Sequence, residues 1–133
     1  MNEQGILIAD KDTETRRMMA ELLGQAGYRV KTTDSAADVL SDILGKNAHI
    51  ILVGSDFDEK VATADLIPLI KKCDRNLTII LVSDEKSLGM VRKIRREGIF
   101  YHALRPVSAA DGDEIRQAVE CAFKSVVNVL SIH

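Results

Sequence analysis

Short polar segments follow four apolar stretches of this chain, and several of their side chains could bind ions or oxyanions. Carboxylates such as those of Asp10 and Asp12 are ligands for hard divalent cations. An arginine such as Arg105 can bind an oxyanion through two parallel N–H groups, and the hydroxyl of Ser83 can donate or accept a hydrogen bond. Gly54 stands in the equivalent place after the most apolar stretch, where it offers no side chain.

The apolar stretches themselves predict buried strands. Residues 5–9, 50–53 and 77–82 are runs of mostly aliphatic side chains, as is typical of strands covered on both faces of a parallel sheet. Residues 28–33 are more polar and predict a strand nearer an edge, and residues 100–104 predict a short fifth strand. Ligands of open parallel sheets bind at the carboxyl ends of the strands, so the polar segments should meet at one edge.

A helical pattern follows each predicted strand. Asp12 or Thr13 can cap the first helix. The third helix should begin near residues 63–65, because a proline such as Pro68 is tolerated in a first turn. A basic fourth helix covers about residues 86–97. Five alternations of strand and helix predict a three-layer, doubly wound (βα)5 α/β domain with a parallel sheet.

Composition limits the class of protein. The chain has 133 residues, of which 46% are hydrophobic and 4% aromatic, and this suits one domain with an aliphatic core. A net charge of −2 argues against a nucleic-acid surface. No apolar run approaches the roughly 18 residues of a membrane span, and the first residues do not resemble a signal peptide. These features predict a cytoplasmic protein with no membrane partner, whose two cysteines are ordinary thiols.

Four sequence segments carry a resemblance to a known family. The segments ILIADKD, HIILVG, LTIILVS and LRP resemble the receiver domain of bacterial two-component response regulators, from about residue 5 to residue 123. The resemblance implies a flavodoxin-like, CheY-like sheet of strand order 2-1-3-4-5. It also implies an acidic pair that binds Mg²⁺ and an aspartate, ending the third strand, that accepts phosphate from a histidine kinase. A Ser or Thr ends the fourth strand in this family, and a Lys before a Pro ends the fifth.

The chain matches that pattern only in part. Asp10 falls on the first acidic position, whereas Lys11 falls on the second. Gly54 falls on the phosphoacceptor, Ser83 on the hydroxyl position and Arg105 on the lysine position. Glycine cannot form an acyl phosphate, and an ammonium group cannot ligate a divalent cation. The resemblance therefore predicts a degenerate phosphorylation pocket with no catalytic residue.

The departures also bear on metal binding, on the pairing of Lys11 and on the switch position. Asp10 and Asp12 are remnant acidic positions, so we expect Mg²⁺ binding to be weak or absent and no cofactor to be needed. Lys11 should pair with Asp10 or Asp12 and mimic the charge of an occupied site. His102 falls on the aromatic switch position of the fifth strand.

The predicted function is that of a signalling module in a two-component phosphorelay, and not of an enzyme. It would act through protein–protein contacts without aspartate phosphorylation. One alternative is a receiver that uses Asp56 as its phosphoacceptor. Another is a small nucleotide-binding or enzymatic flavodoxin-like domain, although the chain lacks a GxGxxG or P-loop signature and offers no nucleophile beside a base.

A partner surface is predicted where the basic helix, the fifth strand and the last helix meet. This surface could also form a homodimer, because basic and acidic residues lie on neighbouring helices. The interface candidates are Arg92, Lys93, Arg95, Arg96, Asp113, Glu114 and Glu120. Residues 1–126 would form the receiver-like domain, and residues 127–133 would form a C-terminal tail that is either the end of the last helix or the start of a linker.

Overall fold

The computed structural model describes residues 5–54, 63–83, 98–108 and 111–132, in which five strands and four helices are seen. The strands are β1 (Gly5–Ala9), β2 (Arg29–Thr33), β3 (Ile50–Gly54), β4 (Thr78–Ser83) and β5 (Tyr101–Leu104). The helices are α1 (Thr13–Gln25), α2 (Ala36–Leu44), α3 (Thr63–Cys73) and α4 (Gly112–Ile132). The predicted basic helix at residues 86–97 lies outside the described residues.

The strands form one parallel sheet of order β2-β1-β3-β4-β5, which confirms the predicted order. The polar strand β2 lies at an edge, as expected. In the register of the sheet, Ala9 pairs with Val53 and Gly54 pairs with Val82. The carboxyl ends of β1, β3 and β4 therefore lie side by side, and the residues that follow them share one edge of the sheet.

Alternate side chains of the central strands fill two separate cores. Leu7 and Ile51 pack on one face of the sheet against α2 and α3, whereas Ile8 and Leu52 pack on the other face against α1 and α4. All five residues of β1 and of β3 are buried. Each fully buried aliphatic side chain contributes roughly 1.5–3 kcal/mol. The continuous apolar runs are thus explained by burial on both faces.

The start of α3 agrees with the prediction, but the place of its proline does not. Helix α3 begins at Thr63, so Pro68 is its sixth residue and lies in the second turn. A proline there has no N–H for the carbonyl of Ala64 and interrupts one helical hydrogen bond. The buried side chains of Leu66 and Ile67 hold this segment against the sheet. Packing therefore outweighs the loss of one backbone bond.

Candidate functional site

The sheet brings together most of the residues that the sequence singles out. Asp10 follows β1, Gly54 ends β3, Ser83 ends β4 and Arg105 follows β5. Nη1 of Arg105 lies 3.2 Å from Oδ1 of Asp10, although the two residues are 95 positions apart in the sequence. The Asp10 side chain is 1% exposed and the Arg105 side chain is 17% exposed. The predicted strand-tip cluster therefore contains a largely buried ion pair.

The two carboxylate oxygens of Asp10 have different surroundings. Oδ1 accepts hydrogen bonds from the backbone N–H of Asp12 at 2.9 Å and from Arg105. Oδ2 is buried, and no donor among the described residues reaches it. Burial raises the pKa of the Asp10 carboxyl, while the bond from Asp12 and the charge of Arg105 act to lower it. Asp10 is thus a desolvated acid held mainly by one cation.

Gly54 lies directly against this carboxylate. A Cβ atom built on Gly54 would stand 2.7 Å from Oδ2 and 3.1 Å from Cγ of Asp10. The Gly54 carbonyl accepts a hydrogen bond from Oγ1 of Thr63 at 2.7 Å, which fixes the end of β3 against the start of α3. Because the Asp10 carboxylate occupies the space where a side chain at position 54 would begin, any larger residue there would require the Asp10 side chain to shift.

Asp12 is exposed and serves as the N-cap of α1. Its Oδ2 accepts hydrogen bonds from the backbone N–H of Thr15 at 2.9 Å and from Oγ1 of Thr15 at 2.5 Å. The side-chain bond from Thr15 is the main cause that lowers the pKa of Asp12, and the backbone bond adds to it. This carboxylate is therefore committed to starting a helix.

Lys11 does not take the place predicted for it. Among the described residues, the ion pair made by Asp10 is with Arg105 and the acceptor bonds of Asp12 are with Thr15, so the predicted pairing of Lys11 with either carboxylate is not seen. Lys11 itself is exposed. Reasoning along the chain favoured a neighbouring lysine, whereas the sheet brings in an arginine from the far end of the sequence.

Ser83 and His102 form a second contact near the same edge. Oγ of Ser83 lies 2.5 Å from Nε2 of His102, and both side chains are buried. The sequence indicated each of these positions separately, as hydroxyl and switch, but not their hydrogen bond. Two threonines were missed altogether. Thr15 has a recognisable signal, because it lies three residues after the N-cap Asp12, whereas Thr63 has none.

The described residues at this edge do not form the octahedral set of oxygen ligands that a Mg²⁺ ion prefers. Oδ1 of Asp10 already accepts from two donors, and Oδ2 packs against Gly54. Asp12 is bonded to Thr15, and the carbonyl of Gly54 is bonded to Thr63. Within the described ranges, no group of three or more His, Cys, Asp or Glu residues could hold a metal ion.

The acidic interface candidates have varied contacts. Asp113 pairs with Arg116 in α4, with Oδ1 to Nη2 at 2.8 Å. Glu114 instead accepts hydrogen bonds from the backbone N–H of Leu104 at 3.0 Å and from the hydroxyl of Tyr101 at 2.9 Å. Glu120 is exposed. The basic candidates Arg92, Lys93, Arg95 and Arg96, and the alternative acceptor Asp56, lie outside the described residues.

Large apolar side chains project from β5 and its flanks into solvent. Phe100, Tyr101 and Leu104 are each at least 40% exposed, and Val107 is 85% exposed. An exposed group of this kind beside a polar rim is typical of a contact surface.

In the part of the chain that the structure describes, no helix combines the length and the apolar character needed to cross a bilayer.

A parallel sheet of this order, with a polar site at its carboxyl edge, defines the flavodoxin-like fold class. The family model for the response regulator receiver domain matches residues 6–120. The chain therefore belongs to the receiver domain family of two-component response regulators, whose members are signalling modules that interact with partner proteins.

Individual relatives agree with this assignment. The two-component response regulator ORR3 of Oryza sativa subsp. indica is 30% identical over 114 residues, which cover 82% of this chain and 85% of that protein. The DNA-binding transcriptional regulator NtrC of Azospirillum brasilense is 29% identical over 125 residues, which cover 94% of this chain. This chain spans only about a quarter of that regulator's length, 25%.

A solved structure confirms the fold. The response regulator receiver domain protein from Clostridium thermocellum superposes with a TM-score of 0.82 at 20% sequence identity. The match covers 95% of this chain and 98% of that chain.

Proposed function

We propose that this receiver domain signals through protein–protein contacts without carrying phosphate on an aspartate. The observation that supports the proposal is the contact between Gly54 and Asp10. A phosphoacceptor needs a carboxylate at the end of β3, and there Oδ2 of Asp10 lies 2.7 Å from where a Cβ atom would stand. Oδ1 of Asp10 already accepts from Arg105 and from the backbone of Asp12, and Asp12 accepts from Thr15, so the described carboxylates offer few free oxygens to a Mg²⁺ ion.

The test is incubation with acetyl phosphate and Mg²⁺, followed by intact-mass spectrometry. We expect no added phosphoryl group on the natural chain. An addition that disappears in Asp56→Asn would support the alternative acceptor and contradict the proposal. An addition that persists in that variant would contradict both ideas. NMR with Mg²⁺ and beryllofluoride gives an independent measurement, because saturable shifts around residues 10–12, 54 and 83 would indicate a working pocket.

The partner surface proposed for this function is the face around β5 and α4, together with the predicted basic helix. Phe100, Leu104 and Val107 supply exposed apolar area on this face. Asp113 and Glu120 supply exposed charge on α4. Apolar contact would provide most of the affinity, and the charges would orient the partner. The partner could be a second copy of the chain or another signalling protein.

The proposed domain covers residues 1–126, and its proposed location is the cytoplasm. The receiver unit at residues 1–126 encloses the family match at residues 6–120, and α4 continues to Ile132. Cys73 and Cys121 are free thiols, as suits a reducing compartment such as the cytoplasm.

A further inference from the structure

We propose that the Arg105 guanidinium is the resident cation of this pocket and takes the place of a divalent metal beside Asp10. The inference rests on the proposed function, since a receiver that accepts phosphate needs its metal. It identifies Arg105 as the positive charge that balances the Asp10 carboxylate within the pocket. In this role Arg105 is a positioning residue, because it acts by holding Asp10.

The first argument is the need of Asp10 for a cation. Its side chain is 1% exposed, and a carboxylate so removed from water is costly unless it is paired and hydrogen-bonded. Among the described residues, the ion pair to this carboxylate comes from Arg105, at 3.2 Å. The backbone N–H of Asp12 adds a bond but no charge.

The second argument is the geometry of the arginine. Nη1 of Arg105 lies 3.2 Å from Oδ1 of Asp10 and 3.5 Å from Oγ1 of Thr15, and Thr15 in turn donates to Asp12. One guanidinium group therefore joins the tip of β5 to both acidic positions that follow β1. Both contacts are made by the same terminal nitrogen, Nη1, whose N–H groups lie in the fixed plane of the guanidinium group.

The third argument is the position in which Asp10 is held. With Oδ1 fixed by Arg105 and Asp12, Oδ2 lies against Gly54. The ion pair thus keeps the carboxylate in the space that a residue 54 side chain would need. A metal at this place would have to displace the guanidinium and turn the carboxylate, which explains why the oxygens do not form a divalent site.

A double-mutant cycle on unfolding tests the assignment. Arg105→Met should raise the unfolding equilibrium constant about tenfold or more, because it leaves a buried charge without its partner. In an Asp10→Asn background, the same change should raise it less than about threefold. Arg105→Lys keeps a positive charge and should fall between these values, and this variant keeps the test usable if Arg105→Met does not fold.

A titration with Mn²⁺ alone is the second test. It measures the paramagnetic broadening of the amide NMR signals at residues 10–12 and 54. Arg105→Met should broaden these signals at a Mn²⁺ concentration at least about threefold lower than the natural chain needs. Lys31→Met is the matched control, because it removes a cation from another buried aspartate, Asp42, at 2.8 Å. In Lys31→Met, the signals at residues 10–12 should broaden at the same Mn²⁺ concentration as in the natural chain.

Additive effects of the Asp10 and Arg105 changes would overturn the assignment, and so would equal Mn²⁺ broadening in the natural chain and in Arg105→Met. Neither measurement uses a phosphodonor. The mass-spectrometric result alone decides the proposed function, so the two failures can be told apart.

Discussion

At the scale of single residues, Gly54 leaves the space that the carboxylate of Asp10 occupies. Gly54→Ala adds a Cβ atom 2.7 Å from Oδ2 of Asp10, and we expect it to lower the free energy of unfolding by about 1–3 kcal/mol. Chemical denaturation with urea measures this change.

Gly24→Ala is the control for that substitution, because it is also a glycine-to-alanine change in a regular element. Gly24 lies in α1, and nothing stands within 4 Å of a Cβ atom built there. Alanine in a helix should stabilise the protein by about 0.5–1 kcal/mol relative to glycine. If both changes have the same sign, the close packing of Asp10 on Gly54 is not the controlling contact.

The two acidic residues that follow β1 should give pH profiles of opposite sign. The pKa of Asp10 in the folded protein is raised above 3.8, so its contribution to stability is full below that value and is lost as the pH rises through the folded pKa. The pKa of Asp12 is lowered from 3.8, so its contribution is present above that value and is lost as the pH falls through the folded pKa.

Urea titrations of Asp10→Asn and Asp12→Asn between pH 7 and about pH 3 measure these contributions. As the pH falls, the natural chain should gain stability relative to Asp10→Asn and lose stability relative to Asp12→Asn. Parallel profiles would show that Asp10 is not held in a desolvated place.

At the scale of elements, Glu114 joins α4 to the edge strand β5. Its carboxylate binds the backbone N–H of Leu104 and the hydroxyl of Tyr101, and the latter bond is the main cause that raises the pKa of Tyr101. Glu114→Gln should lower the pKa of Tyr101 towards its ordinary value of 10.0. Site-resolved NMR titration of the tyrosine rings separates this residue from Tyr28.

Removing the side chain of Glu114 altogether should uncover part of a sheet edge. An unpaired N–H on an edge strand invites pairing with another chain, so we expect Glu114→Ala to aggregate faster on heating than the natural chain. Asp113→Ala is the control, since Asp113 is exposed and, among the described residues, pairs with Arg116 of α4. Equal aggregation of the two variants would argue against a protective role for Glu114.

The central strands were predictable because burial on both faces of the sheet requires an unbroken run of apolar residues. The runs at β1, β3 and β4 are apolar because each residue enters one of two cores. The strand-tip positions of Asp10, Gly54 and Arg105 were predictable for the same reason. Their contacts were not, because the choice of Arg105 over Lys11 as partner depends on side-chain reach across the sheet. Pro68 shows a similar limit, where packing overrides a local rule.

At the scale of the whole molecule, association should depend on more than charge. Opposite charges steer two proteins together, but buried apolar area holds them. If the chain dimerises through the proposed surface, Arg92→Glu with Arg95→Glu should weaken the dimer chiefly at low salt. Val107→Ser should weaken it at all salt concentrations, because Val107 is 85% exposed in the single chain.

Sedimentation velocity at low and high salt measures both effects. Arg29→Glu on β2 is the matched control, since it reverses an exposed charge at the opposite edge of the sheet from β5. A chain that stays monomeric under all conditions, or a dimer indifferent to these changes, would contradict the assignment of this surface.

The contact between Gly54 and Asp10 also bears on how such a domain can evolve. An aspartate introduced at position 54 must put its Cβ atom where a neighbouring carboxylate already stands, 2.7 Å away. The step is unfavourable unless the Asp10 side chain turns away, and its ion pair with Arg105 resists that movement. An aspartate at position 54 should therefore be tolerated better after a substitution at Arg105 than before it. Such dependence between positions is epistasis, and it would slow the return of a carboxylate to the end of β3.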